Sequence, residues 1–306
     1  EFLLKKNQIV HLKGRAEILT NGSILINRDQ ELAIKNIIIA TGSSQRSLDL
    51  LKTDGVNVIT SKEILALTQV PKSLLIIGGG STGVEFAYMY GAYGSKVTVV
   101  EAQDQILPKE DPEIAELLRK SLTEQGVSIY TNARIVTSGV KDGLVRCEID
   151  VQNDETKIVI EAEKALMSIG VAGNILGIGL EGLDIQTENG FIKIDEQMRT
   201  SVPNIYAIGD VTGKLLLAHV AQAQGIIAAE VIAGLNHDEL TYDFIPRSTY
   251  CEPQISSFGY TEKEALGRGY SIKIGRFPLT ANAKALAMGG DAGMVMVIVN
   301  KKNKNI

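Results

Sequence analysis

Three glycines, Gly78, Gly80 and Gly83, stand in "SLLIIGGGSTGVEF" with the spacing of a loop that holds a dinucleotide pyrophosphate. The first glycine makes a tight turn, the second lets the backbone approach the phosphates, and the third lets a helix pack on the preceding strand. The phosphates would then rest on a helix N-terminus, where free N–H groups and the dipole favour anions. The next apolar run ends at Glu101, 18 residues beyond Gly83. A carboxylate there accepts hydrogen bonds from ribose hydroxyls and repels a 2′-phosphate, so NAD is expected rather than NADP. The plainer alternative is an ordinary tight turn between strand and helix.

Other candidate groups are less decided. Glu85 falls in the first helical turn after the loop. Its spacing fits either a surface carboxylate favoured by the helix dipole or a group facing the nicotinamide. In "TSVPNIYAIGD" a buried strand runs into Gly209-Asp210, which puts a carboxylate at the ligand side of a sheet. Asp210 could equally cap a helix or close a turn. His219 starts a helix, where it could face a ligand or cap, while His11 and His237 read as loop residues. Cys147 reads as core and Cys251 as a buried or half-buried thiol. These two cysteines give neither a disulfide framework nor metal-ligand spacing, and no metal site is expected.

Strands and helices must position these groups. The 306 residues, with 44% hydrophobic and 22% charged, can bury the cores of two or three domains. A net charge of −5 argues against a nucleic-acid binder, and no apolar run is long enough to span a bilayer. No basic-then-apolar leader follows Glu1, so the expectation is a cytoplasmic protein without a signal peptide. Residues 1–70 read as short strands and turns, closed by "LTQVPKS" as a boundary. Residues 71–173 read as strands alternating with helices, the pattern of a parallel, doubly wound sheet. Residues 174–240 hold "NIYAIGD" and a helix rich in small residues, and 241–306 change to a separate α+β piece. The final strand runs into "KKNKNI" and suggests a cut chain.

Along nearly its whole length the sequence resembles the flavoprotein disulfide reductases, and among them the dihydrolipoamide dehydrogenases. The resemblance is carried, in order, by "IIIATGSS", "LLIIGGGSTGVEFA", "VTVVEAQDQILPKEDPEI", "LMSIG", "TSVPNIYAIGDVTGKLLLAHVAQAQG", "EPQISSFGYTEKEA" and "FPLTANAKALAMGGDAGMV". The "ILPKEDPEI", "LLLAH" and "FPLTANAKAL" stretches favour the dihydrolipoamide branch. It implies an α/β fold with two Rossmann-like dinucleotide-binding domains, the FAD domain incomplete, and a truncated α+β interface domain. The FAD domain would comprise 1–70 and 174–240, the NAD domain 71–173, and the interface domain 241–306.

The resemblance also implies roles residue by residue. Gly78, Gly79, Gly80, Ser81, Thr82, Gly83, Val84 and Glu85 would form the NAD loop. Glu101 would hold the adenosine ribose, and Ile135 and Gly170 would add NAD contacts. Glu85 would flank nicotinamide and flavin. Asp210 would bind the flavin ribityl chain, with Leu216, Leu217, Ala218 and His219 along the flavin. Ala16, Thr41, Gly42 and Ser43 would make further FAD contacts. The implied partners are a lipoyl-bearing protein of a 2-oxoacid dehydrogenase complex and a second copy of the chain. The first FAD glycine loop, the redox cysteine pair and the His-Glu base are absent from these residues. The expectation is therefore an internal fragment with no catalytic residue of its own. "SIGVAGN" departs from the commoner Gly-Arg-x-Pro-Asn pattern at Val171 and Gly173. The rival readings are another reductase of the family or an NADH oxidase, and a dinucleotide-binding module without turnover.

Overall fold

A computed structural model describes residues 1–152, 157–289 and 293–304. It forms two compact units, residues 1–44 with 172–242, and residues 45–171 with 243–306.

In the unit of residues 45–171 and 243–306, five strands form one sheet. Their order is Val58–Ile59, Lys164–Met167, Ser73–Ile77, Lys96–Val100 and Ser128–Tyr130, and every neighbouring pair is parallel. Leu74, Leu75 and Ile76 are fully buried, as continuous apolar runs must be when a parallel sheet is covered on both faces. Parallel neighbours need crossovers. Helix α1 (Ser81–Ala92) joins Ser73–Ile77 to Lys96–Val100, and α2 (Pro112–Glu124) leads on to Ser128–Tyr130. Pro112 sits at the start of α2, where its missing N–H costs nothing. An antiparallel sheet of Ala133–Lys141, Leu144–Val151 and Ile158–Ala162 follows. The boundary falls at 44/45 and not at the expected 70/71. Val58 and Ile59 pair with Ala165 and Leu166, which draws the residues before Pro71 into the sheet that carries the glycine loop.

Residues 243–306 add the hairpin Arg247–Thr249 with Ile255–Ser257, the short helix Glu262–Gly267, and the long hairpin Ile272–Pro278 with Met294–Asn300. They pack into the same unit. Cys251 and Ile255 share a core with Val84, Phe86, Leu118 and Leu122. Arg276 pairs with Glu113 at 2.6 Å and Arg247 with Glu110 at 3.5 Å.

Asp111 sits at this junction. It precedes α2 without capping it, and its carboxylate instead accepts the N–H of Glu262 at 3.3 Å. Burial pushes its carboxyl above the ordinary range; the Glu262 N–H opposes this, and the charges of Glu262, Glu110 and Glu113 add to the rise. A raised carboxylate pKa means the folded state holds the proton more tightly than the unfolded chain. Stability is therefore lost as pH climbs from the ordinary carboxylate value through the raised one. Asp111→Asn keeps an acceptor for the Glu262 N–H and removes the charge. Its melting temperature should exceed that of the parent by roughly 2 °C at pH 7, with the gain shrinking towards zero near pH 4. A loss at pH 7 in thermal denaturation would show that the charge is needed.

In the unit of residues 1–44 and 172–242, Ala16–Ile18, Ile24–Ile26 and Gln30–Leu32 form an antiparallel sheet. Ile37–Ile39 pairs in parallel with Ile205–Ala207. Helix α3 (Ala218–Ile232) buries Val220, Gln224, Ile227 and Ala228. Ile37, Ile39, Ile192, Ile205 and Ala207 are among the residues of one core with Ile227 and Ala228.

Candidate functional site

The glycine loop leaves the strand Ser73–Ile77 and enters α1. Gly78 has φ +103°, and a Cβ on it would lie 2.4 Å from the Ser168 carbonyl oxygen. A Cβ on Gly83 would lie 2.0 Å from the Gly78 carbonyl oxygen, so helix and loop touch through bare backbone. Gly80 is the N-cap of α1, with no side chain capping the helix and open space around it. A tight loop, uncapped N–H groups and a clear approach are what a pyrophosphate requires. The residues present therefore fit the phosphate end of a dinucleotide.

Four neighbours hold the loop in shape. The Gly78 N–H donates to Val100 O at 2.8 Å, and the Leu107 N–H donates to Gly79 O at 2.8 Å. The Ser168 hydroxyl is shared between Ile77 O at 2.8 Å and Gly78 O at 2.9 Å. Glu101 is the fourth. Its Oε2 accepts the Gly79 N–H at 2.6 Å and its Oε1 accepts the Gln103 N–H at 2.7 Å. The carboxylate expected to hold a ribose thus also braces the turn. Each oxygen keeps a lone pair for a further donor.

Glu85 lies half-buried one turn beyond Ser81. Its Oε1 accepts the Tyr250 N–H at 2.8 Å, and the Thr249 hydroxyl donates to Ser81 Oγ at 3.2 Å. The two sequence readings of Glu85 thus meet a third fact: the carboxylate is anchored by the segment after residue 243. Thr82 and Val84 lie in the first turn of α1, Val84 fully buried. Ile135 is half-buried beside a β-bulge. Gly170, with φ +94°, follows Ser168 by two residues, and its carbonyl accepts the Arg46 N–H at 2.9 Å.

The other group of candidates lies in the unit of residues 1–44 and 172–242. Asp210 sits in the turn Gly209–Thr212 after the strand Ile205–Ala207, and its Oδ2 accepts the Ser43 hydroxyl at 3.0 Å. The Thr41–Gly42–Ser43 loop is clamped by Asn174. Thr41 Oγ1 donates to Asn174 O at 2.8 Å, and Asn174 Nδ2 donates to Thr41 O at 2.9 Å. Gly173 also finds its reason here, since a Cβ on it would lie 3.0 Å from Gly190 O and 3.1 Å from Val211 O. Leu217 caps α3 without offering a side-chain oxygen, and Ala218 and His219 begin its first turn, exposed. Leu216 is exposed and Ala16 opens the strand Ala16–Ile18. Ser43 and Asp210 are therefore brought together.

The sequence reading missed Ser168, Asn174 and Gln224, all of which fix loops from a distance. Both cysteines are free and buried. Burial pushes the Cys147 thiol up to about 11. Burial, with the charges of Glu85 and Glu252, pushes the Cys251 thiol up to about 12. Among the described residues no group of three or more His, Cys, Asp or Glu could hold a metal, and no helix is long and apolar enough to cross a membrane.

Residues 1–225 match the pyridine nucleotide-disulphide oxidoreductase family, and residues 245–306 match its dimerisation domain. The chain belongs to the pyridine nucleotide-disulphide oxidoreductases. Similar members of the family include the dihydrolipoyl dehydrogenase of Chlorobaculum tepidum, 40% identical over 97% of the chain and 64% of that protein. That of Bacillus subtilis is 40% identical over 99% of the chain and 67% of that protein. The chain thus spans about two thirds of the length of these relatives. Among solved structures, the HOCl-induced flavoprotein disulfide reductase RclA of Escherichia coli matches with TM-score 0.84 at 28% identity, over 98% of the chain and 70% of that protein. LpdA of Mycobacterium tuberculosis matches with TM-score 0.85 at 29% identity, over 98% of the chain and 66% of that protein. The α/β fold read from the sequence agrees with these structures.

Proposed function

We propose that the chain is the NAD-binding and flavin-positioning part of a dihydrolipoamide dehydrogenase. The observation that carries this reading is the 40% identity to two dihydrolipoyl dehydrogenases along 97% and 99% of the chain. The family uses FAD and NAD(H). When bound, FAD supplies two-electron chemistry and NAD accepts a hydride.

The chain's own residues supply placement. The bare backbone of Gly78–Gly83 and the start of α1 hold the pyrophosphate, with Gly79 and Val84 in the same loop and turn. Glu101 takes the adenosine ribose on its free lone pairs while keeping the Gly79 turn closed, and Ile135 and Gly170 extend the NAD surface. Glu85, fixed by the Tyr250 N–H, presents its second oxygen towards the nicotinamide end. Ser43 orients the Asp210 carboxylate for the ribityl hydroxyls of FAD, with Ala16, Thr41 and Gly42 as further contacts. Leu216 to His219 lie along the flavin, where the N-terminus of α3 favours negative charge on the reduced ring. The match of residues 245–306 to a dimerisation domain supports a homodimer. Cytoplasmic location and a lipoyl-bearing partner complete the reading.

The intact protein should reduce NAD with dihydrolipoamide and should not reduce glutathione disulfide or mercuric ion. Preference for either of the latter would overturn the assignment. The 306 residues by themselves should form no NADH from dihydrolipoamide. Their two thiols are buried, unpaired and held protonated, so neither can exchange with a disulfide. Measurable NADH in a spectrophotometric assay of this chain would contradict that.

A further inference from the structure

Gln224 is a polar side chain with no exposed surface in the middle of α3. Burying an amide is costly unless both of its ends are satisfied. Both are. Its Oε1 accepts the Gly209 N–H at 2.6 Å, and its Nε2 donates to the Tyr242 hydroxyl at 2.9 Å. Gly209 opens the turn that carries Asp210, and the Thr212 hydroxyl closes that turn on Gly209 O at 2.8 Å. The Lys214 ammonium lies 5.9 Å from the centre of the Tyr242 ring. The turn is thus held from below by Gln224 and Tyr242 and at its tip by the Ser43–Asp210 bond.

We propose that Gln224, backed by Tyr242, is a positioning residue for the flavin: it sets the Gly209 peptide and so aims Asp210. This rests on the reading of Asp210 as the ribityl ligand. A polar residue kept only for helix packing would gain by becoming apolar, whereas one that orients the turn cannot be replaced by shape alone.

The test uses the intact flavoprotein, with FAD dissociation constants from flavin fluorescence, the fine structure of the visible flavin band, and NADH dissociation constants as a folding control. Gln224→Leu should weaken FAD binding about tenfold and blur the band, with NADH binding unchanged. Gln224→Glu should restore both, since one carboxylate oxygen accepts the Gly209 N–H and the other accepts the Tyr242 hydroxyl. Tyr242→Phe should weaken FAD binding about threefold, and it decides the matter if Gln224→Leu does not fold. Parent-like FAD affinity in Gln224→Leu, or in Tyr242→Phe where Gln224→Leu does not fold, would overturn the proposal when Asp210→Ala has lost FAD. Parent-like FAD affinity in Asp210→Ala would overturn the ribityl reading itself.

Discussion

Gly83→Ala should abolish measurable NADH binding while leaving the chain folded. The added methyl would stand 2.0 Å from the Gly78 carbonyl oxygen and 3.1 Å from Ser168 Oγ. Neither neighbour is the end of a flexible side chain that could swing away. Gly78 O is backbone, and Ser168 is pinned by its bonds to Ile77 O and Gly78 O. Relief requires α1 to move off the loop, which separates the helix N-terminus from the turn that cradles the phosphates. The dissociation constant should rise at least about a hundredfold, on the order of 3 kcal/mol. Gly91→Ala is the control. It lies in the same helix, and its Cβ would meet Val127 at an ordinary 3.5 Å. There, NADH affinity should be unchanged and stability should rise by about 0.5–1 kcal/mol from the better helix propensity of alanine. Calorimetric titration and thermal denaturation of the three proteins check both effects.

Glu101→Ala should weaken NADH binding by roughly 30- to 100-fold, because it removes the ribose acceptor and leaves two loop N–H groups unpaired. Glu101 is only 8% exposed and its two oxygens hold the Gly79 and Gln103 N–H groups. That arrangement makes the isosteric Glu101→Gln a poor substitute. Whichever way the amide is turned, its NH2 faces one of two backbone N–H donors. Glu101→Gln should therefore fall close to Glu101→Ala in an NADH titration. A variant that binds NADH like the parent would remove Glu101 from both roles.

Legibility in the sequence followed the range of the interaction. The glycine loop could be read because each glycine answers a local demand, a turn at Gly78 and a contact at Gly83 only five residues later. Glu101 could be read because a strand of known length places its end beside the loop. Its bracing of Gly79 could not, since both N–H groups become its partners only after folding. Ser168 stands 91 residues from Ile77 in sequence, and Asn174 stands 133 residues from Thr41. Nothing in "LMSIG" or "VAGN" announces those partners. The sequence boundary at 70/71 differs from the division at 44/45 for the same reason. The short strand Val58–Ile59, which precedes Pro71, pairs with Ala165 and Leu166 far beyond it. The anchoring of Glu85 by Tyr250 also joins segments 165 residues apart.

The central claim is that the loop at Gly78–Gly83, with Glu101 beside it, takes a dinucleotide without a 2′-phosphate. The most direct measurement is a calorimetric titration of this chain with NADH and with NADPH under the same conditions. Saturable NADH binding, with NADPH at least about tenfold weaker because its phosphate meets the Glu101 carboxylate, is the result expected. Equal affinity for the two coenzymes, or no binding of either, would contradict it.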